Sequence, residues 1–222
     1  MVVSFFGASA LMAGFVIVAT RLGVDVPIDT TLGGLVLRLA MYVVMTALFV
    51  ALPYYVWRMP FSRREVGLAR ELTWADIGLA IAGFVLYGLL SMVALALARQ
   101  VPGFNTAQVQ DLGLQNILGM ERMIAFITLV IVTPFIEEFI FRGVLYGKLR
   151  VASMSIAAAG FVVSILFAIA HGQWNVGIDV FCLSLVAIAL REVTGTIWAG
   201  VLMHMIKNAI AFYLLFVAAQ GF

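Results

Sequence analysis

The stretch TPFIEEFIFRG, residues Thr133 to Gly143, places two glutamates and an arginine inside an apolar run. An ionised side chain at the centre of a bilayer costs about 2.5 to 3.5 kcal/mol on insertion scales, so a carboxylate there usually has a role and a partner. Glu138 and Arg142 are four residues apart, share a helix face and can neutralise each other. Glu137 lies about 100 degrees further round the helix and needs a partner on another helix.

The composition indicates an integral membrane protein. Hydrophobic residues make up 64% of the chain and charged residues 11%, against roughly 25% charged residues in soluble domains. The net charge of +2 gives no reason to expect a nucleic-acid partner, and one cysteine, Cys182, excludes an intrachain disulfide. The N-terminus lacks the basic region of a cleaved signal peptide. We therefore expect residues 1–222 to form a single membrane domain with no soluble appendage.

Apolar runs of about 17 to 25 residues predict transmembrane helices. We predict an all-α, polytopic helical bundle with about seven of them, the sixth being short. The predicted helices cover residues 4–20, 33–57, 75–98, 121–147, 154–172, 177–191 and 195–219. The stretch from Asn105 to Met120 is too polar to span a bilayer and is predicted to be an amphipathic helix at the interface.

The basic residues predict the orientation. Most of the loop lysines and arginines fall on one side of the predicted bundle, namely Arg58, Arg63, Arg64, Arg70, Lys148, Arg150 and Arg191. The positive-inside rule then places the N-terminus inside, and we expect a prokaryotic plasma membrane. This topology puts Glu137 and His171 at different depths, so the two meet only if a helix is broken, tilted or offset. Pro134 is a candidate for such a bend.

Both histidines of the chain fall in apolar segments. His204 and Asn208 are four residues apart and project from one face of the last helix, whereas His171 lies where a helix gives way at Gly172. A carboxylate, two histidines and an asparagine are the groups needed to hydrolyse an amide, because they can activate water and stabilise an oxyanion. The alternative is a purely structural role, in which these residues form a buried ion network that fixes helix packing.

Other intramembrane chemistries lack their motifs. The chain has no HExxH zinc motif, no Gly-x-Ser-x-Gly and no Gly-x-Gly-Asp, and Asp179 has no second aspartate within the predicted helices. Lys207 is expected to reach the membrane surface or to pair with a carboxylate, and we assign it no catalytic role. A proton-coupled transporter using Glu137 and the histidines is a further alternative, although the paired broken helices of transporters are missing.

Three motifs in order resemble one family. They are E-E-x-x-x-R at Glu137, Glu138 and Arg142, F-x-x-x-H at Phe167 and His171, and H-x-x-x-N at His204 and Asn208. This set, on three separate hydrophobic helices, resembles the CPBP family of CAAX proteases and bacteriocin-processing enzymes, also called Abi proteins. The resemblance covers roughly Met120 to Leu215, the motif-bearing catalytic half, and the first three helices carry no recognisable motif.

The resemblance implies an intramembrane endopeptidase similar to the Ras-converting CAAX endopeptidase. It further implies that Glu137 and His171 activate water and that His204 and Asn208 stabilise the oxyanion. Glu138 and Arg142 would then support the shape of the site.

The resemblance also bears on cofactors and partners. Catalysis without a metal is expected, and zinc stays an alternative with Glu137, His171 and His204 as its ligands. The expected partners are the lipid bilayer and a membrane-anchored peptide or protein substrate. The alternative within the same fold is a non-catalytic membrane scaffold or a bacteriocin-immunity protein.

Overall fold

The computed structural model of the chain describes residues 2–24, 30–105, 114 and 117–218. Within a few helical stretches of these ranges, among them residues 2–9 and residue 38, only the backbone is described. The amphipathic helix predicted between Asn105 and Met120 lies mostly outside the described residues.

The described residues form seven helical segments and no strand, which confirms the predicted all-α fold. In chain order these segments are α1 (Val2–Arg21), α2 (Thr31–Trp57), α3 (Trp74–Ala98), α4 (Gly119–Val151), α5 (Ile156–Ala170), α6 (Trp174–Thr194) and α7 (Trp198–Phe216). Four of them, α2, α3, α4 and α7, are long and apolar enough to cross a membrane. The helix α5 is apolar but only 15 residues long.

The prediction that the sixth helix is short was wrong. Helix α6 has 21 residues and extends beyond the apolar run at both ends. Arg191, which the charge pattern places in a loop, lies inside this helix and is only 8% exposed. Its side chain donates to the carbonyl oxygens of Arg142, Gly195 and Glu65, so it needs no contact with water.

Helix α4 is continuous but not uniform. Two π-helical stretches, Ile127–Val132 and Phe139–Leu145, lie on either side of the short α-helical piece Thr133–Glu138, which carries both glutamates. Pro134 is the second residue of that piece and has no backbone N–H to donate. π-Helical turns inside α-helices occur frequently at functional sites.

The chain divides into two compact units. The first contains Met1–Phe61, Gly113–Ile136 and Ala209–Phe222, and the second contains Ser62–Leu112 and Glu137–Asn208. In the first unit, α2 packs against α1 and against the first turns of α4. In the second unit, α6 is the central helix, because both α3 and α5 pack on it. The prediction of a single membrane domain stays a prediction.

The loop before α3 lies against the second π-helical stretch and the α-helical turn that follows it. A Cβ atom built on Gly143 would lie 2.9 Å from the carbonyl oxygen of Val66, and one built on Gly147 would meet the carbonyl oxygen of Glu65. Glycine at both positions therefore lets the backbone of the loop approach the helix closely. All the predicted site residues, from Glu137 to Asn208, belong to this second unit.

Candidate active site

A buried ion pair forms the base of the site. Oε1 of Glu138 lies 3.0 Å from Nη1 of Arg142, one turn further along α4, and both side chains are excluded from solvent. This confirms that the two residues pair, as their spacing predicts. Removing either partner would leave an uncompensated charge in a water-free environment.

His204 lies between the two glutamates. Its Nδ1 is 3.1 Å from Oε1 of Glu138, and its Nε2 is 3.7 Å from Oε2 of Glu137. A carboxylate only accepts hydrogen bonds, so Nδ1 of His204 carries the hydrogen when Glu138 is ionised. The second ring nitrogen then faces Glu137. His204 is thus a partner from another helix for this carboxylate, as the sequence requires.

Glu137 and Glu138 differ in exposure. The side chain of Glu137 is 14% exposed and that of Glu138 is not exposed at all. Oε2 of Glu138 instead faces Gly200 of α7, where a Cβ atom would come within 3.2 Å of it. Of the two neighbours, Glu137 is therefore the one that a water molecule or a substrate can reach.

Phe167 lies at the centre of the cluster. Its ring is fully buried, and Cζ of Arg142 lies 4.2 Å from the ring centre, a cation–π geometry. The rings of His171 and His204 contact the same ring at 4.8 and 6.1 Å between centroids. The phenylalanine of the second motif therefore contacts both histidines and the arginine, a role that its position in the motif alone does not reveal.

His171 is the first residue after α5 and caps its C-terminus. Its Nδ1 lies 2.9 Å from the carbonyl oxygen of Phe167, and a carbonyl can only accept, so Nδ1 donates. In the neutral ring, Nε2 then keeps its lone pair and can accept a hydrogen bond from a water molecule. The pairing of His171 with Glu137 across the predicted depth difference stays a prediction.

Asn208 lies one turn after His204 on the same helix and is partly buried. This position agrees with the shared helix face that the spacing predicts. Its role as a hydrogen-bond donor stays a prediction.

Among the residues that the structure describes, no group of three or more His, Cys, Asp or Glu side chains is arranged to hold a metal ion. Zinc with Glu137, His171 and His204 as ligands stays an alternative prediction.

A second polar cluster lies in the same unit and is centred on Asp179 of α6. Its Oδ1 accepts hydrogen bonds from the hydroxyl groups of Tyr87 (2.7 Å) and Ser91 (2.5 Å) of α3, and its Oδ2 lies 3.7 Å from Nζ of Lys207. Lys207 therefore pairs with a carboxylate, one of its two predicted arrangements. Tyr87 and Ser91 are four residues apart on α3, but the sequence does not connect them to Asp179.

The three motifs and their surroundings agree with a known family. Residues 119–210 match the family described as type II CAAX prenyl endopeptidase, Rce1-like. This part of the chain is similar to the Rce1-like family. The matched range contains every predicted site residue and begins and ends close to the predicted catalytic half. No curated protein and no solved structure is significantly similar to the chain. The Rce1-like family is one of proteases, and the apolar helices are those of an integral membrane protein.

Proposed function

We propose that this chain is an intramembrane endopeptidase that cleaves a membrane-anchored peptide or protein with water activated by Glu137. The observation that carries the proposal is the placement of His204 between Glu137 and the buried Glu138–Arg142 ion pair. The 14% exposure of the Glu137 side chain, and the absence of an arginine within ion-pair distance of it among the described residues, support Glu137 as the reacting carboxylate. The similarity of residues 119–210 to a protease family supports the reaction class.

In the proposed reaction, Glu137 takes a proton from a water molecule while the water oxygen attacks the carbonyl carbon of the scissile peptide bond. A new C–O bond forms, and the electron pair of the C=O π bond moves to the carbonyl oxygen. The proton held by Glu137 then passes to the leaving amine nitrogen as the C–N bond breaks. His171 orients the water through Nε2, because its Nδ1 is occupied by the carbonyl oxygen of Phe167.

His204 and Asn208 are the proposed donors to the oxyanion. For His204 this role requires a hydrogen on Nε2 in addition to the one that Nδ1 shares with Glu138. The carboxylate of Glu138, 3.1 Å from Nδ1, supplies the counter-charge that a doubly protonated ring needs. Donors placed for the developing charge are commonly the largest single contribution to acyl-transfer catalysis.

The proposed substrate is a peptide held at the membrane by a lipid group. The description of the Rce1-like family names CAAX prenyl endopeptidases, so a peptide with a prenylated cysteine near its C-terminus is the first substrate to test. The proposed location is a prokaryotic plasma membrane with the N-terminus inside, and no metal takes part in the proposed step.

The test uses the full chain, purified and reconstituted in lipid vesicles with a prenylated CAAX peptide. We expect Glu137→Gln to lower the cleavage rate by about 100-fold or more while the unfolding temperature stays unchanged. Glu71→Gln is the matched control, because Glu71 is an exposed glutamate in the loop before α3. We also expect cleavage to persist in excess chelator.

Two results would contradict the proposal. Cleavage by Glu137→Gln at the parental rate would exclude Glu137 as the water activator. The absence of cleavage from the parent protein across prenylated and unprenylated anchored peptides would instead favour the non-catalytic scaffold, especially if the Glu137→Gln variant still retains a membrane partner.

A further inference from the structure

Asp179 connects three helices of the second unit. Its Oδ1 accepts from Tyr87 and Ser91 of α3, and its Oδ2 faces Nζ of Lys207 on α7. Tyr87 and Ser91 are both buried, so their hydroxyl groups fix the carboxylate in one orientation. A carboxylate that accepts two hydrogen bonds on one oxygen presents its other oxygen in a defined direction, here toward Lys207.

Lys207 lies beside the proposed oxyanion donors. It follows His204 by three residues and directly precedes Asn208, and residues three apart on a helix are surface neighbours. The side chain of Lys207 is 22% exposed, so its contact with Asp179 does not enclose it completely.

The formal charges around the site determine how the charge of Lys207 affects the proposed reaction. Arg142 is paired with Glu138 and Lys207 with Asp179. In the part of the chain that the structure describes, the basic side chain within ion-pair distance of Glu137 is that of His204. When Glu137 takes a proton from water, its negative charge disappears and one appears on the carbonyl oxygen. The total charge is unchanged, but the negative charge has moved toward the donors on α7. A fixed positive charge on α7 therefore stabilises the state with the oxyanion more than the state with the ionised Glu137.

We propose that Lys207 stabilises the oxyanion through its charge and that Asp179, held by Tyr87 and Ser91, is its positioning residue. This inference rests on the proposed peptidase function and adds the charge of Lys207 to the hydrogen-bond donors His204 and Asn208. Lys207 acts on the developing charge only, and it therefore raises the rate of the chemical step without strengthening the binding of the intact peptide.

The experiment compares Lys207→Met, Lys207→Arg, Asp179→Asn and the double variant Asp179→Asn/Lys207→Met in the same vesicles with the same peptide. For Lys207→Met we expect kcat to fall about 10-fold or more and KM to stay within about twofold. Lys207→Arg keeps the charge and should recover most of kcat. Asp179→Asn should lower kcat less than Lys207→Met, because the lysine is displaced but still present.

The double variant separates catalysis from stability. Removing one member of a partly buried pair leaves a charge unpaired, whereas removing both members is often nearly neutral for stability. We therefore expect the unfolding temperature of the double variant to return toward that of the parent, while its kcat stays as low as that of Lys207→Met. Recovery of kcat in the double variant would overturn the proposal, since Lys207 would then only neutralise Asp179.

The proposal also fails if Lys207→Met cleaves at the parental rate while Glu137→Gln does not cleave. That result would leave the peptidase function standing. If both variants cleave at the parental rate, the peptidase mechanism through Glu137 fails and the role of Lys207 fails with it.

Discussion

Oε1 of Glu138 and Nη1 of Arg142 lie 3.0 Å apart in a part of the protein that solvent does not reach. Breaking such a pair by removing one member costs about 3 to 5 kcal/mol, because the remaining charge stays buried. We expect Glu138→Gln to lower the unfolding temperature strongly, whereas Glu137→Gln leaves it unchanged and abolishes cleavage. Thermal unfolding of both variants in one detergent checks this asymmetry, and equal losses of stability would contradict it.

Phe167 should matter for activity beyond its contribution to the core. Phe167→Leu removes the ring that contacts Arg142, His171 and His204, so we expect cleavage to fall about 10-fold with a stability loss of about 1 to 2 kcal/mol. Phe161→Leu is the matched control, because Phe161 lies on the same helix and is 58% exposed. Equal activity of the two variants would show that the central ring has no part in placing the histidines.

Arg191 should be irreplaceable by lysine. Its guanidinium donates to three backbone carbonyl oxygens, one of which belongs to Arg142 in the second π-helical stretch. Lysine carries its three N–H donors on one nitrogen and cannot span the three acceptors. A buried carbonyl left without a donor costs about 1 to 3 kcal/mol. We expect Arg191→Lys to lower the unfolding temperature and to make the loop before α3 more sensitive to protease. The exposed control Arg99→Lys should do neither.

Gly147 should not tolerate a methyl group. Alanine there would place its Cβ against the carbonyl oxygen of Glu65, whereas the same change at Gly88 in α3 meets open space. Within a helix, alanine is otherwise preferred over glycine by up to about 1 kcal/mol. We therefore expect Gly147→Ala to be destabilising and Gly88→Ala to be neutral or stabilising in thermal unfolding. A stable Gly147→Ala protein would mean that the loop does not pack closely on the helix.

Much of the fold follows from composition and from the apolar runs. The helices were predictable because a backbone in lipid must satisfy its hydrogen bonds internally, and the pairing of Glu138 with Arg142 follows from their spacing. The length of α6 was not predictable from apolarity, because Arg191 remains in the helix only through carbonyl groups supplied by distant parts of the chain.

The contacts of Asp179 and His204 with residues on other helices could not be predicted from the sequence either. Asp179 is visible in the sequence as a polar residue in an apolar run, but nothing there indicates that Tyr87 and Ser91 reach it from a helix about 90 residues earlier. The contact between His204 and both glutamates depends on how α7 lies against α4, which a single sequence does not specify. The order of the three motifs was enough to predict the site residues, whereas their neighbours depend on tertiary packing.

The second π-helical stretch, Phe139–Leu145, affects how chains of this kind can be compared. A π-helical turn closes its hydrogen bonds over one residue more than an α-helical turn. Deleting one residue there would let an ordinary α-helix form, and the residues beyond the deletion would keep roughly the same orientation relative to the glutamates, because the wider turns absorb one extra residue. A one-residue alignment gap among Gly143, Val144 and Leu145 would therefore identify a relative whose helix is uniform at this point, even when all three motifs are intact.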